Sequence, residues 1–281
     1  ASGGEAPVTN AIERFNFASS STNTDWGDLT VGRSTGTGSS STTHGYGAAG
    51  QPASSNGTVI DKFALASQSN ATDVGDCSGR DLVGGNYSTT DGYVVGGRSS
   101  GTQSTIQKFS FSSDGNASSV STINSGALYH IGQGSNSSTH GYSNGGRTSS
   151  NTVTSDINKF QFSNESTTAS HGNLSFAKRG QIGSSSSTDG YSSGALNSSN
   201  VPQNIIDKFS FASESNATDQ GNLTVARYSS AGISSDTHGY TAGGSGTTMN
   251  HIDKFTFASN ANATDVGDLT STRGTAASSH I

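Results

Sequence analysis

Five residues with acid-base or metal-binding side chains recur in one local setting: His44, Asp91, His140, Asp189 and His238 each follow a Thr and precede a Gly-Tyr pair. Imidazoles and carboxylates on one face can hold a divalent metal or hydrogen-bond a sugar, and His280 would extend the set. Equivalent positions in a ring of repeats lie too far apart to share one small ion. A His or Asp between Thr and Gly is also well suited to bonding its own turn. The turn role is the expectation, and a ligand-facing rim built from the same five residues is the functional alternative.

Three carboxylate pairs, Asp25/Asp28, Asp73/Asp76 and Asp265/Asp268, carry oxygen ligands of the kind calcium takes. The bidentate Glu that ends a calcium loop is missing, and Asp is an ordinary turn residue, so no cofactor is expected and calcium is the alternative. Cys77 is the single cysteine, which excludes an internal disulfide and a cysteine-based zinc cluster. No His-Glu-x-x-His helix or paired-Glu arrangement occurs, and isolated Ser and His residues are too common in this chain to count as a triad. The expectation is a protein without catalytic or metal-binding residues, not an enzyme.

The elements that position these residues emerge from an internal repeat. An aliphatic-polar-basic-Phe string occurs six times, ending at Phe15, Phe63, Phe109, Phe160, Phe209 and Phe255, with spacings of 48, 46, 51, 49 and 46 residues. Two residues beyond each stands another apolar side chain, Phe17, Leu65, Phe111, Phe162, Phe211 or Phe257, at the period of a strand. The Gly-Tyr pairs are followed by Gly96-Gly97, Gly145-Gly146 and Gly243-Gly244, and by the weaker Ala49-Gly50 and Gly194-Ala195. A third marker is the turn of Thr72-Asp73-Val74-Gly75-Asp76 and its equivalents, often followed by a basic residue, as at Arg33, Lys178, Arg227 and Arg273.

Only 28% of the chain is hydrophobic and 12% charged, while Gly numbers 38, which disfavours helical bundles and Rossmann-type enzymes. Tyr 8, Phe 12 and a net charge of −6 argue equally against disorder. With 14 Lys and Arg and no basic run, nucleic acid is excluded as a partner, and no apolar stretch is long enough for membrane insertion by a helix.

Each unit reads as four short antiparallel strands separated by Gly/Asn/Ser turns, for instance near 229–234, 238–243, 252–258 and 266–269. The innermost strands, such as 34–40 and 229–234, carry small residues suited to a crowded axis. The Gly-Gly pairs suit positive φ. The chain is therefore expected to be all-β, a six-bladed propeller in a single domain 1–281, with units near 1–46, 47–93, 94–142, 143–191, 192–240 and 241–281. Gly3-Gly4 stands as far before Phe15 as Gly243-Gly244 before Phe255, so N- and C-terminal segments are expected to close the ring together.

These markers resemble the kelch repeat. Asp91-Gly92-Tyr93-Val94-Val95-Gly96-Gly97 is similar to its double-glycine strand, and Trp26-Gly27-Asp28-Leu29-Thr30-Val31-Gly32-Arg33 to its Trp-to-Arg segment. The other five units place Val74, Val120, His171, Gln220 and Val266 at the Trp position. Strings such as Ile206-Asp207-Lys208-Phe209-Ser210-Phe211, alternating with Thr237-His238-Gly239-Tyr240, resemble kelch-like repeat proteins of marine bacteriophages, cyanophages in particular, along the whole chain. The resemblance implies a non-enzymatic virion or extracellular surface protein, a capsid decoration or fibre tip, whose partners are other surface structural proteins. Host-surface glycans, bound in the manner of a lectin-like adhesin, are the alternative. A copper-oxidase-like or glycan-cleaving enzyme ranks third, because Cys77 has no evident tyrosine to crosslink.

Overall fold

A computed structural model of the chain describes residues 8–17, 23–52, 57–124, 126, 128–246 and 249–274. Among them there is no helix, as the Ser/Thr/Gly composition requires, and antiparallel sheets follow one another in a propeller-like ring. The first four-stranded blade comprises Thr37–Ser40, His44–Ala48, Val59–Ala64 and Thr72–Asp76. The second comprises Gly84–Tyr87, Asp91–Val95, Thr105–Ser110 and Ser118–Thr122. The third is Ser135–Asn136, His140–Asn144, Asp156–Gln161 and Ala169–Asn173. The fourth is Ile182–Ser185, Asp189–Asn197, Pro202–Ser210 and Thr218–Asn222, and the fifth Ala231–Ser234, His238–Ala242, His251–Thr256 and Thr264–Asp268.

The blade count differs from the sequence reading. The described residues form five four-stranded blades rather than six, and the remaining unit contributes a two-stranded sheet, Ala11–Arg14 paired with Thr24–Asp28. The proposed closure by terminal segments, with His280 in it, falls on residues 1–7 and 275–281, outside the described residues.

One aromatic contact repeats from sheet to sheet. Tyr46 of the first blade stacks on Phe111 of the second at 4.7 Å between ring centroids. Tyr93 meets Phe162 at 5.2 Å, Tyr142 meets Phe211 at 4.7 Å, and Tyr191 meets Phe257 at 4.7 Å. The series continues from the fifth blade onto the N-terminal segment, where Tyr240 stacks on Phe17 at 4.8 Å. On its other side the two-stranded sheet packs Ile12 and Leu29 against Phe63 of the first blade, with Trp26 and Leu65 alongside. The two-stranded sheet thus lies between the fifth and first blades. Offset stacks of this kind add about 0.5–1.5 kcal/mol each beyond their buried area, so a few aromatic residues per unit suffice to hold neighbours together.

A buried ion pair runs in parallel with the aromatic series. The basic residue that leads into a sheet reaches the acid of the next third strand: Arg33 pairs with Asp61, Lys178 with Asp207 at 2.9 Å and Arg227 with Asp253 at 2.6 Å. Arg273 makes the same pair with Glu13, across the whole length of the chain, and also donates to the Ala11 carbonyl. Two units depart from the rule in both members at once or in the acid alone. In the second unit Gln107 stands at the acid position and bonds Ser78, and Arg80 bonds the carbonyls of Gly96 and Thr105 instead, while the third unit has Leu128 with Asn158. In the third unit both charges are lost together, which avoids the desolvation penalty of an unpaired buried ion, whereas in the second unit Arg80 stays buried and is held by carbonyl oxygens alone.

Glycine predominates at two places in the unit. The double glycines take positive φ, 58° and 99° at Gly96 and Gly97, with Ala49 accepting 58° in the first blade. At the bulge of the outermost strand Gly75, with φ 153°, lies so close to the Gly115 carbonyl of the next blade that a Cβ would overlap it.

Candidate functional site

The five innermost strands stand side by side around the axis. Gly85 bridges Gln133 in parallel, and Gly183 donates to the Gln133 carbonyl at 2.7 Å. The same end of every inner strand therefore faces the same mouth of the ring, and each mouth gathers one residue type per blade.

At the first mouth lie the turns that connect the first two strands of each blade, and these carry the five sequence-predicted residues. The Nδ1 atoms of His44, His140 and His238 each lie 2.8 Å from the hydroxyl of the preceding threonine. Asp91 and Asp189 accept from Thr90 and Thr188 at 2.7 Å. Their backbone amides donate to a serine three residues earlier, as His44 does to Ser41 at 3.0 Å and Asp91 to Ser88 at 3.0 Å. Each residue bonds its own turn, and among the described residues no three His, Cys, Asp or Glu converge as a metal-ligand set. Burial lowers His140 and His238 below the usual imidazole range, with Lys159 and Lys254 adding to the effect.

Between these turns the mouth widens into a depression of about 340 Å³ lined by Ser40, Thr42, Tyr87, Asn136, Ser137 and Ser185 among others. Its walls carry hydroxyls and amides and no charged side chain. Part of that inventory is cross-linked from blade to blade: Asn136 Oδ1 accepts from the Tyr87 amide at 3.0 Å, Ser185 Oγ from the Asn136 amide at 2.8 Å, and Ser234 Oγ from the Ser185 amide at 2.8 Å. The serines and threonines at the turn tips, Thr42, Thr89 and Ser138, are exposed.

Four of the six carboxylates in the outer pairs bond within their own unit. Asp25, Asp73 and Asp265 each accept from the glycine amide two residues on, at 3.1 Å, and Asp76 accepts from the Thr58 hydroxyl at 2.6 Å. The degenerate Trp position keeps one function through three chemistries. Trp26 Nε1 donates to the Ala64 carbonyl at 3.0 Å, His171 Nε2 lies 2.7 Å from the Ser210 carbonyl, and Gln220 Nε2 donates to the Thr256 carbonyl at 3.1 Å. Cys77 is buried, with its thiol donating to the Thr58 carbonyl at 3.1 Å and its pKa pushed up by burial.

The second mouth holds residues that the search for recurrence missed. Thr35, Leu82, His130, Gly180 and Ser229 occupy equivalent positions, one per blade, and all take positive φ, between 52° and 64°. They surround a small cavity of about 40 Å³. Arg179 donates from Nη1 to His130 Nδ1 at 2.9 Å; a guanidinium has no acceptor, so the imidazole proton sits on Nε2, facing Ser229 Oγ at 3.2 Å. Burial, then the charges of Arg179, Arg147 and Arg98, hold the His130 pKa at about 3. Arg147 pairs with Tyr129 across a two-residue ladder, and the Arg98 guanidinium lies 5.8 Å from the Tyr129 ring centroid. The available signal was position rather than recurrence: Arg98 and Arg147 directly follow the double glycines of two consecutive units, which places them in neighbouring sectors.

No protein-family model matches the sequence, and no curated protein matches it significantly.

Proposed function

We propose that the chain is a rigid, non-enzymatic propeller of a virion or other extracellular surface, which engages structural partners or a host surface through its hydroxyl-lined axial face. The observation that carries this reading is the depression between the inner turns: uncharged hydrogen-bonding groups, including Asn136 and Ser185, on a frame whose recurrent aromatic and charged residues are engaged between blades. A disc of this kind offers many weak polar contacts without steering by charge, which suits multivalent display. Electron microscopy of the native particle or cell surface with a chain-specific antibody tests the location. Label confined to particle interiors or to the cytosol would refute it.

Carbohydrate attachment is the second reading, favoured by Tyr87 at the same depression, since an aromatic face beside hydroxyl and amide groups matches the apolar and polar faces of a sugar. A glycan array probed with multimerised protein is expected to give hits that Tyr87→Ala abolishes. An empty array at high valency excludes it. The kelch-like phage relationship and the six-unit ring belong to this reading as well. Their support is the Tyr240–Phe17 stack and the Arg273–Glu13 pair, which give the two-stranded sheet the same neighbours that a blade has. Under six-unit closure, residues 1–7 and 275–281 exchange amide hydrogens as slowly as the inner strands do. Exchange at the unprotected rate would overturn it. No cofactor enters the proposal.

A further inference from the structure

Three of the eight arginines stand apart from the rest in what holds them. Arg33, Arg80, Arg227 and Arg273 occupy the buried position that leads into each sheet, and Arg14 lies over the Trp26 ring at 4.4 Å. The remaining arginines of the chain are Arg98, Arg147 and Arg179. None recurs in every unit, and all three converge on Tyr129 and His130 at the second mouth: Arg98 over the Tyr129 ring, Arg147 as its strand partner, and Arg179 hydrogen-bonded to the His130 ring. In a chain with a net charge of −6, this is a concentration of positive charge that packing does not require.

The local balance stays positive. Among the described residues the carboxylate ion-paired with any of these guanidiniums is Asp81, 3.2 Å from Arg98 Nη2 and almost fully buried. Arg179 directs its other nitrogens to neutral acceptors, His130 and Asn200 Oδ1 at 2.6 Å. The Nε atoms of Arg147 and Arg179 are buried and have no hydrogen-bond acceptor. His130 cannot add a charge in this setting, so it acts as a neutral spacer, and Tyr129, whose hydroxyl donates to Asn151 Oδ1 at 2.9 Å, forms an aromatic wall beside it.

We propose that this mouth is a binding site for a tetrahedral oxyanion, sulfate or phosphate, free or esterified to a saccharide. Three guanidinium forks brought in from three successive blades can each address a different oxygen, which fits a group with three or more oxygens better than the two of a carboxylate. The site lies at the opposite end of the axis from the hydroxyl-lined depression and stands independently of the function proposed for that face.

The test is titration calorimetry at low ionic strength with four probes: inorganic sulfate, inorganic phosphate, a sulfated trisaccharide and the same trisaccharide desulfated. Either inorganic anion is expected to bind. Tighter binding of the sulfated trisaccharide than of sulfate would assign the ester as the carried form, and equal binding the free anion. Arg147→Gln and Arg98→Gln, both at positions with solvent access and checked for an unchanged Tm, are each expected to weaken binding at least tenfold. Arg14→Gln, which removes the same charge elsewhere, is expected to leave it unchanged. Absence of heat with all the anionic probes overturns the proposal. So does equal weakening by Arg14→Gln and Arg147→Gln, since that is general charge attraction.

Discussion

The buried pair Arg227–Asp253 offers a substitution whose outcome the chain itself suggests. Both side chains are fully buried, and Arg227 donates to Asp253 Oδ2 at 2.6 Å and to the carbonyls of Gly243 and His251 at 3.2 and 3.1 Å. Thr224 donates to the same carboxylate through its hydroxyl at 2.6 Å and its amide at 2.9 Å. Asp253→Asn leaves the Arg227 charge without its counter-ion and is expected to destabilise the protein by about 3–5 kcal/mol. Arg227→Leu leaves the carboxylate buried with only its Thr224 donors, with a similar loss. The third unit already carries the neutral pair Leu128 and Asn158 at these positions, both buried. The double variant Arg227→Leu/Asp253→Asn recreates that pair, and its expected loss is about 2 kcal/mol or less, a coupling of several kcal/mol within the cycle. Urea unfolding followed by tyrosine and tryptophan fluorescence measures all four proteins. Losses of the single variants that simply add in the double variant would refute the reasoning, because the two positions would then not be an electrostatic unit.

Other expectations follow from the same frame. Gly75→Ala is expected to destabilise by about 2–4 kcal/mol in the same urea assay, since a Cβ there meets the Gly115 carbonyl and φ is 153°; Ser121→Ala, at the equivalent bulge that lacks glycine, changes stability by less than about 1 kcal/mol. Phe211→Ala removes the stack on Tyr142 and is expected to lower stability by about 3 kcal/mol, read from the urea midpoint. His130 has a folded pKa of about 3 against an ordinary 6.5, so its contribution to stability is complete above pH 6.5 and declines as the pH falls towards 3. By pH 5 the loss approaches about 2 kcal/mol, and His130→Gln is expected to flatten the stability profile between pH 7 and 5 by that amount. Glu13 is pushed up by burial, but the hydrogen bonds from Thr270 and Asn23 and the Arg273 charge outweigh this and hold it below the ordinary carboxylate range. Its stabilisation is present above that range and disappears as the pH falls through the lower folded value, so hydrogen exchange at acid pH is expected to open the 11–14 and 24–28 strands before the third blade.

What could be read from the sequence was whatever recurs. The Ile-x-Lys-Phe strings mark third strands, the Gly-Tyr pairs mark second strands, and the fifth blade follows its predicted segments to within a few residues. The double glycines have the positive φ that their spacing implied. The ion pairs were not legible, although both members stood in recurrent markers, because nothing local shows that Arg33 reaches forward to Asp61 while Arg273 reaches back to Glu13. The blade number among the described residues is five rather than six: the string ending at Phe15 lies beside a two-stranded sheet, and the segments expected to complete that unit fall on residues 1–7 and 275–281, outside the described residues. The arginine cluster escaped for the opposite reason: Arg98 and Arg147 follow double glycines in only two units and Arg179 stands elsewhere in the third, and only the ring brings three consecutive units to one point. In this chain the recurrent aromatic and charged residues hold the frame, and the arginines that break the pattern are the ones assigned to the proposed anion site.

That division is tested most directly by an amide NMR spectrum of the protein titrated with the sulfated trisaccharide. Shifts are expected at Arg98, Tyr129, His130, Arg147 and Arg179, with the amides of Lys62, Lys108 and Lys159 in the third strands of the first three blades unmoved. Shifts centred on those lysines, or spread evenly over all blades, would contradict it.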